Sequence, residues 1–452
     1  MNSTIVAIST ALAPAGIGVI RLSGPQAIEI ADKVFLAVSE KPLSSLQGYE
    51  SSLGYIIKNG QKIDKVIATV FKDGNSYTGE DVVEFSCHGS VVLLKEIVSL
   101  LINSGATLAQ RGEFSKRAYV NGRLSLEKAE ALMTLINASS VSVAHAAFQT
   151  LNGNVAKEID ENNKILTHLS ASIGAYVDYP DEDLPDLADE EIIKTISEVS
   201  SALKKIKKNY DSGKIIQDGI HAVIIGKPNV GKSTLMNLLS GYERSIITDI
   251  PGTTRDIVED RIMVGDIPLI IADTAGIRDS SDPVESIGIQ ATVKKIESSE
   301  LIISIFDGSD KLNEEDLKIL ELCKGKTVLT IINKTDLGMK IDIEKLKDFN
   351  PILISAKEKT GLDSFEKALS KLLKTNDFDP SAAFLVNERQ RENLTKAIEY
   401  LDEAISAFNF GLSIDAIHLS VDMAIDSLLE LKGEKATKAV VDEIFNEFCV
   451  GK

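Results

Sequence analysis

Four short segments hold the residues best suited to chemistry, and they follow one another in a fixed order. The first, Gly226-Lys227-Pro228-Asn229-Val230-Gly231-Lys232-Ser233, matches G-x-x-x-x-G-K-S and lies between an apolar run at 221–225 and a helical stretch at 234–239. In such a loop backbone N–H groups cradle phosphates, the lysine reaches the β and γ oxygens and the serine ligates Mg²⁺. Asn229, Val230, Gly231, Lys232, Ser233 and Thr234 are therefore candidate phosphate contacts, with Ser233 on the metal. Next, Asp273-Thr274-Ala275-Gly276 follows an apolar run at 268–272, which puts the carboxylate at a strand's C-terminal end, where it can hold Mg²⁺ through water and sense the γ-phosphate. Asn333-Lys334-Thr335-Asp336 follows a further apolar run, and the Asp336 carboxylate can accept from the guanine N1–H and N2–H₂, a donor pair that adenine lacks. Ser355-Ala356-Lys357 can present a backbone N–H to guanine O6. All four in this order point to GTP rather than ATP.

Hydrolysis also needs a group that orients water. Ras-like GTPases use a Gln directly after the Asp-x-x-Gly glycine, but here that position is Ile277, whose side chain cannot polarise water. Segment 278–285 offers replacements, Glu285 foremost. Charge developing in the transition state can be met by Arg255, by Arg278 or by a bound monovalent cation.

These loops need scaffolds. The 452 residues are enough for two or three domains, and 44% hydrophobic with 26% charged residues describes folded globular material. Forty-nine Lys and Arg against 67 Asp and Glu leave a net charge of −18, so nucleic acid cannot be coated by electrostatics alone and any such contact must be local. Three scattered cysteines, Cys87, Cys323 and Cys449, support neither a disulfide framework nor a zinc site, and fit a reducing cytoplasm. The first cationic side chain is Arg21 and no apolar run reaches about 18 residues, so neither secretion nor membrane spanning is expected.

Residues 1–120 alternate strand-like runs (4–9, 18–22, 53–57, 65–71) with a helix near 26–38, and Asn59-Gly60 marks a tight hairpin, so a mixed α+β domain is expected. Helical spacing follows over 121–216, interrupted by an acidic, proline-containing loop at 179–186. From 217 to 376, β-branched runs alternate with helices, the pattern of a mainly parallel sheet. Residues 377–452 return to amphipathic helices, with one at 440–448. One helical domain interrupted by the α/β unit and two separate helical domains would look alike. Cys87 and His88 are adjacent on a strand, point to opposite faces, and are not taken as a nucleophile and base.

Several longer stretches go beyond nucleotide binding. They are Gly-Val-Ile-Arg-Leu-Ser-Gly at 18–24, Tyr-Thr-Gly-Glu-Asp at 77–81, Cys-His-Gly at 87–89, Arg-Gly-Glu-Phe-Ser-Lys-Arg-Ala at 111–118, Thr-Asp-Ile-Pro-Gly-Thr-Thr-Arg-Asp at 248–256 and Cys-Val-Gly-Lys at 449–452. On these residues and the phosphate loop the chain resembles the MnmE/TrmE tRNA-modification GTPases along essentially its whole length. The resemblance implies a multidomain α/β protein: an N-terminal α+β folate-binding and dimerisation domain, an all-α domain formed from both flanks, and an inserted Ras-like P-loop domain. It implies that Thr248, Asp249, Ile250, Pro251, Gly252 and Thr253 line the GTP site, that Asn229, Thr248, Ile250 and Thr253 hold K⁺, that Thr254 joins Ser233 on Mg²⁺, and that Glu285 orients the water.

Arg21, Glu80, Arg123 and Lys452 match the positions of a 5-formyl-tetrahydrofolate (or methylene-tetrahydrofolate) site, and Cys449 a position tied to the modification chemistry. The implied activity is GTP-driven, folate-dependent addition of a carboxymethylaminomethyl or aminomethyl group to C5 of the tRNA wobble uridine. It would be carried out in the cytoplasm by a homodimer that forms a heterotetramer with a flavin- and NADH-dependent partner of the MnmG/GidA type. A regulatory GTPase of ribosome or RNP assembly is the competing reading, and the folate-type positions and Cys449–Lys452 discriminate, since a switch needs neither. Three residues depart from the family pattern: Arg123 where Lys is usual, and Thr134 and Gln390, expected on the helical surface, where Asp and His are common.

Overall fold

In the computed structural model the described residues are 3–72, 74–178, 189–241, 260–271, 296–297 and 299–452. They form two compact units: Met1–Met133 with Leu151–Ile193 and Asn387–Lys452, and Thr134–Thr150 with Lys194–Val386.

The first unit carries a seven-stranded sheet. Its strands are β1 (Ile5–Ile8), β2 (Ala15–Ser23), β3 (Phe35–Ala37), β4 (Glu50–Lys58), β5 (Gln61–Phe71), β6 (Val82–Gly89) and β7 (Thr107–Leu108), in the order β3-β4-β5-β6-β2-β1-β7. Only β1 and β7 run parallel among the pairs. Asn59 and Gly60, at φ 50° and 80°, make the expected turn between β4 and β5. Period-two alternation turns Val66, Ala68 and Val70 inward with Ile20, Leu22, Val83 and Phe85, against Ile30, Leu94, Ile97 and Leu101 of helices Ala27–Val34 and Val91–Asn103.

The helix expected over 26–38 stops at Val34, and the chain continues directly into β3. A Cβ at Gly54, on the facing strand, would run into the Phe35 ring, so the glycine leaves the space that this ring fills. A partner nineteen residues away thus overrides a locally helical pattern.

Helix Ile414–Lys432 packs against both Glu388–Asn409 and Asn154–Asp178. Gln390 is fully buried, not on the surface: its amide donates to Glu130 Oε2 at 2.6 Å, beside the bidentate Arg389 at 2.7 and 2.9 Å. A buried carboxylate needs several donors, and a glutamine beside an arginine supplies the third. Thr134, in the second unit, is also buried, its hydroxyl donating to the Val386 carbonyl at 3.3 Å. The last helix, Lys438–Asn446, ends two residues before the expected stop, and Phe445 and Phe448 pack with Leu126 and Ala129.

The second unit holds a six-stranded sheet of β8 (Ile220–Ile225), β9 (Asp260–Val264), β10 (Ile267–Ile271), β11 (Leu301–Asp307), β12 (Val328–Asn333) and β13 (Ile352–Leu353), in the order β13-β12-β11-β8-β10-β9. All neighbours are parallel except β9 and β10. The central strands are apolar on both faces, as a parallel sheet covered by helices requires, with Ile224 and Ile303 in one core and Val223 and Ile302 in the other. Among the described residues no helix is long and apolar enough to cross a membrane.

Candidate functional site

In the second unit β8 runs into the phosphate-type loop, and helix Lys232–Ser240 starts at its end, so N–H groups and the positive end of the helix dipole face one spot. The loop needs unusual backbone: Asn229 lies at φ 62° and Gly231 at 100°. A side chain at Gly231 would collide with the Asn333 amide. Lys232 folds over the loop, its Nζ donating to the carbonyls of Gly226 at 2.8 Å and Lys227 at 3.2 Å. Ser233 and Thr234 occupy the first helical turn.

Asn333 ends β12 and is buried. Its Nδ2 donates to the Val230 carbonyl at 2.8 Å and its Oδ1 accepts from the Ala356 amide at 3.0 Å. One side chain therefore ties together three segments that sequence alone could only put in order. A guanine O6 approaching the Ala356 amide would share that hydrogen. Asp336 is exposed, with Oδ1 accepting from Ser355 Oγ at 2.6 Å, and the Thr335 amide donates to the Ile354 carbonyl at 3.4 Å. Lys357 is exposed just beyond. The positions 248–253, Thr254, Arg255, Asp273, Thr274, Ala275, Gly276, Ile277, Arg278 and Glu285, and the acidic loop at 179–186, lie outside the described residues.

A second constellation lies in the first unit. Arg21 and Ser23 sit two apart on β2, on the face opposite Ile20 and Leu22. Arg21 Nε donates to Glu84 Oε1 at 2.7 Å, and its guanidinium carbon lies 5.5 Å from the Tyr77 ring centre and 5.7 Å from that of Phe114. Glu80 accepts from Ser23 Oγ at 2.6 Å and, through both oxygens, from Arg117 Nη1 at 3.1 Å. Arg117 is only 1% exposed and also reaches the Ser3 carbonyl at 2.7 Å and Glu113 at 2.9 Å. Arg123 donates to the Gly74 carbonyl at 2.6 Å and lies along Gly79, beside the loop that carries Glu80.

The C-terminal tail docks onto this unit. Val450 bridges to Arg111, the Gly112 amide donates to the Cys449 carbonyl at 3.5 Å, and Ser9 Oγ donates to the Gly451 carbonyl at 3.0 Å. Gly451 takes φ 97° against Ile8 and Ser9. Cys449 is exposed, whereas Cys87 is buried and its thiol is pushed up to about 12 by burial and by Asp64. His88, on the opposite face of β6, is bonded to Asp64 at 2.5 Å.

Burial, and next the Arg21 cation, hold the Lys452 amine below its ordinary value, with Cys449 acting in the other direction. Arg21 and Cys449 thus both act on Lys452, although more than 400 residues separate Arg21 from it. Because the folded chain binds this proton less tightly than the unfolded one, stability should rise with pH between the lowered value and 10.5. Denaturant melts of wild type and Lys452→Met check this: the advantage of the methionine should shrink as pH rises, and a constant difference would remove Lys452 from the effect.

Tyr77, Ser23 and Arg117 were not singled out by sequence reasoning. All three lie inside stretches that matched a family but had no assigned chemistry, and each shows its role only through its partner.

Two family models match the chain, the MnmE helical domain over residues 126–449 and the GTP-binding protein TrmE N-terminus over residues 4–123. A tRNA modification GTPase MnmE of Thermoanaerobacter pseudethanolicus is 38% identical over 99% of both chains, and one of Clostridioides difficile is 37% identical over 100% of both. A solved structure, the FeoB G-domain from Methanococcus jannaschii, aligns with 34% of this chain and 98% of its own at 27% identity and a TM-score of 0.25, too low for the likeness to carry weight. With relatives matched from end to end, and family models covering both the N-terminal region and the helical and nucleotide-binding remainder, the chain belongs to the MnmE family of tRNA modification GTPases.

Proposed function

We propose that this GTPase uses a folate held between its N-terminal sheet and its C-terminal tail to modify C5 of the wobble uridine of tRNA. The observation that carries the reading is the docked tail, held on Ser9, Arg111 and Gly112, from which Lys452 feels the Arg21 cation. The donor set fits the ligand chemically: Arg21 and Lys452 suit the carboxylates of a glutamate tail, Glu80 suits the donors of a pterin, and Arg123 flanks the loop between. Bound there, the folate would supply the one-carbon unit. Cys449, exposed at the same place, has the access that a reactive thiol needs.

In the nucleotide site, Asn229 to Thr234 take the phosphates, Ser233 and Thr254 hold Mg²⁺, and Asn333 to Asp336 with Ser355 to Lys357 hold guanine. Asn229 with Thr248, Ile250 and Thr253 takes K⁺, Glu285 orients water, and Arg255 and Arg278 meet developing charge. The chain works as a homodimer in the cytoplasm with a flavin- and NADH-dependent partner. The domain limits follow: 1–120, 121–216, 217–376 and 377–452.

The test is calorimetric binding of 5-formyl-tetrahydrofolate. Arg21→Ala should weaken it by about tenfold, the worth of one charge-assisted pair, and leave GTP turnover unchanged. No detectable binding by the wild type at high protein concentration would sink the folate reading.

A further inference from the structure

The Asn-Lys-Thr-Asp loop is braced from a place no motif marks. β11 runs parallel to β12 with Asp307 opposite Asn333, so both strands end together at the carboxyl edge of the sheet, where α/β folds bind ligands. Asn333 is locked by its two buried hydrogen bonds, and the chain then turns through Lys334 at φ 62°, a left-handed conformation that a lysine takes only when its surroundings impose it. The restraint is visible: Lys334 Nζ donates to Asp307 Oδ2 at 2.6 Å.

The carboxylate that receives it is itself immobile. Asp307 Oδ1 accepts from both the amide and the hydroxyl of Ser309, at 2.9 and 2.7 Å. The Gly308 amide donates to the Asn333 carbonyl at 2.8 Å, and the Gly308 carbonyl accepts from the amides of Lys340 and Ile341 at 2.7 and 3.2 Å. Burial acts upward on the Asp307 carboxyl, but the hydrogen bonds from Lys334 and Ser309 outweigh it and hold the group below its usual range. Asp307 is thus a fixed anion 12% exposed, with Lys334 30% exposed above it.

We infer that Asp307 is a positioning residue for guanine-nucleotide binding, acting through Lys334 to preset the loop that presents Asp336. The inference rests on 333–336 being the guanine loop. With the tether intact, the turn between Asn333 and Asp336 is set before nucleotide arrives, and no binding free energy goes into ordering it. Without it, the amine is free, the left-handed turn loses its restraint, and the cost falls on the nucleotide. The effect belongs to binding, since Asp307 holds the loop through Lys334, and the hydrogen bonds described for its carboxylate come from Lys334 and Ser309.

A double-mutant cycle on the full chain tests this, reading the dissociation constant and release rate of a fluorescent GDP, the GTP turnover number at saturation and the melting temperature. Asp307→Asn should weaken GDP by about tenfold, as for the loss of a charge-assisted hydrogen bond, with turnover at saturation within about twofold. Asp307→Glu should recover part of the affinity. In a Lys334→Met background, Asp307→Asn should change nothing further.

An equal effect in both backgrounds would overturn the inference, because it would act through long-range charge or general destabilisation. So would an Asp307→Asn protein that binds GDP like wild type while Lys334→Met binds weakly. Unchanged binding in Lys334→Met alone would instead sink the guanine-loop reading itself. Should Asp307→Asn fail to fold, Ser309→Ala, which loosens the same carboxylate, carries the cycle with the same expectations.

Discussion

Gly451→Ala is expected to lower 5-formyl-tetrahydrofolate affinity by at least about a hundredfold, some 2.7 kcal/mol, while GTP turnover stays unchanged. At φ 97° an alanine is strained wherever it sits, by about 1 kcal/mol or more. Here its Cβ would also run into the Ile8 carbonyl and lie 2.9 Å from Ser9 Cα, and these are backbone atoms of β1 and its extension, which cannot swing aside as a flexible side chain would.

The tail must lift. Its departure breaks the Ser9–Gly451 and Gly112–Cys449 hydrogen bonds and the Arg111–Val450 bridge, and takes Lys452 away from Arg21. Phe448 remains anchored in its cluster, so the melting temperature should move little. Calorimetry with the folate reads the affinity, and the rate of Cys449 alkylation reads the tail independently. Undiminished affinity with a lifted tail would exclude the tail from the binding site.

In the other unit, Asn333→Ala should weaken GDP and GTP alike by about a hundredfold, because it leaves the Val230 carbonyl and the Ala356 amide unpaired in a buried place at about 1–3 kcal/mol each. Both orphans belong to loops that must hold still for the nucleotide, so much of the cost appears as lost affinity. Asn333→Asp should be no better, since it turns an oxygen toward the Val230 carbonyl where an N–H donated. Equilibrium titration with a fluorescent nucleotide measures it, and a change below about threefold would mean that the loops hold their positions by other contacts.

Sequence carried the local patterns well and the long-range ones poorly, for identifiable reasons. The Asn59-Gly60 turn, the alternation along β5 and the doubly buried strands around Ile303 follow from turn chemistry, from a period of two residues and from an unbroken apolar run, all written in neighbouring positions. Phe35 looked helical because the glycine that receives its ring stands on another strand. Gln390 and Thr134 looked like surface because amphipathic spacing does not reveal a buried carboxylate such as Glu130 or a carbonyl such as that of Val386 waiting for a donor.

The candidate site shows the same division. The phosphate loop could be recognised from its own eight residues, whereas Arg117, the partner of Glu80, and Asp307, the partner of Lys334, are visible only once strands and loops are brought together.

The first unit is assembled from three separated stretches, the last of which begins at Asn387, and the second unit occupies most of the interval. The sheet's core is complete within residues 6–106, but on a ribosome adding about 5–20 residues per second Leu126 and Ala129 wait roughly 15–60 s for Phe445 and Phe448, which complete their cluster. Toward the end of that wait the second unit has all its residues in hand. Its prior collapse would draw the two ends of a long chain together and cut the loop-closure entropy that a contact such as Ser9 to Gly451, 442 residues apart, would otherwise face. The order of synthesis thus puts the N-terminal sheet first, and lets the inserted unit shorten the loop that the late helices and the tail must close to reach it.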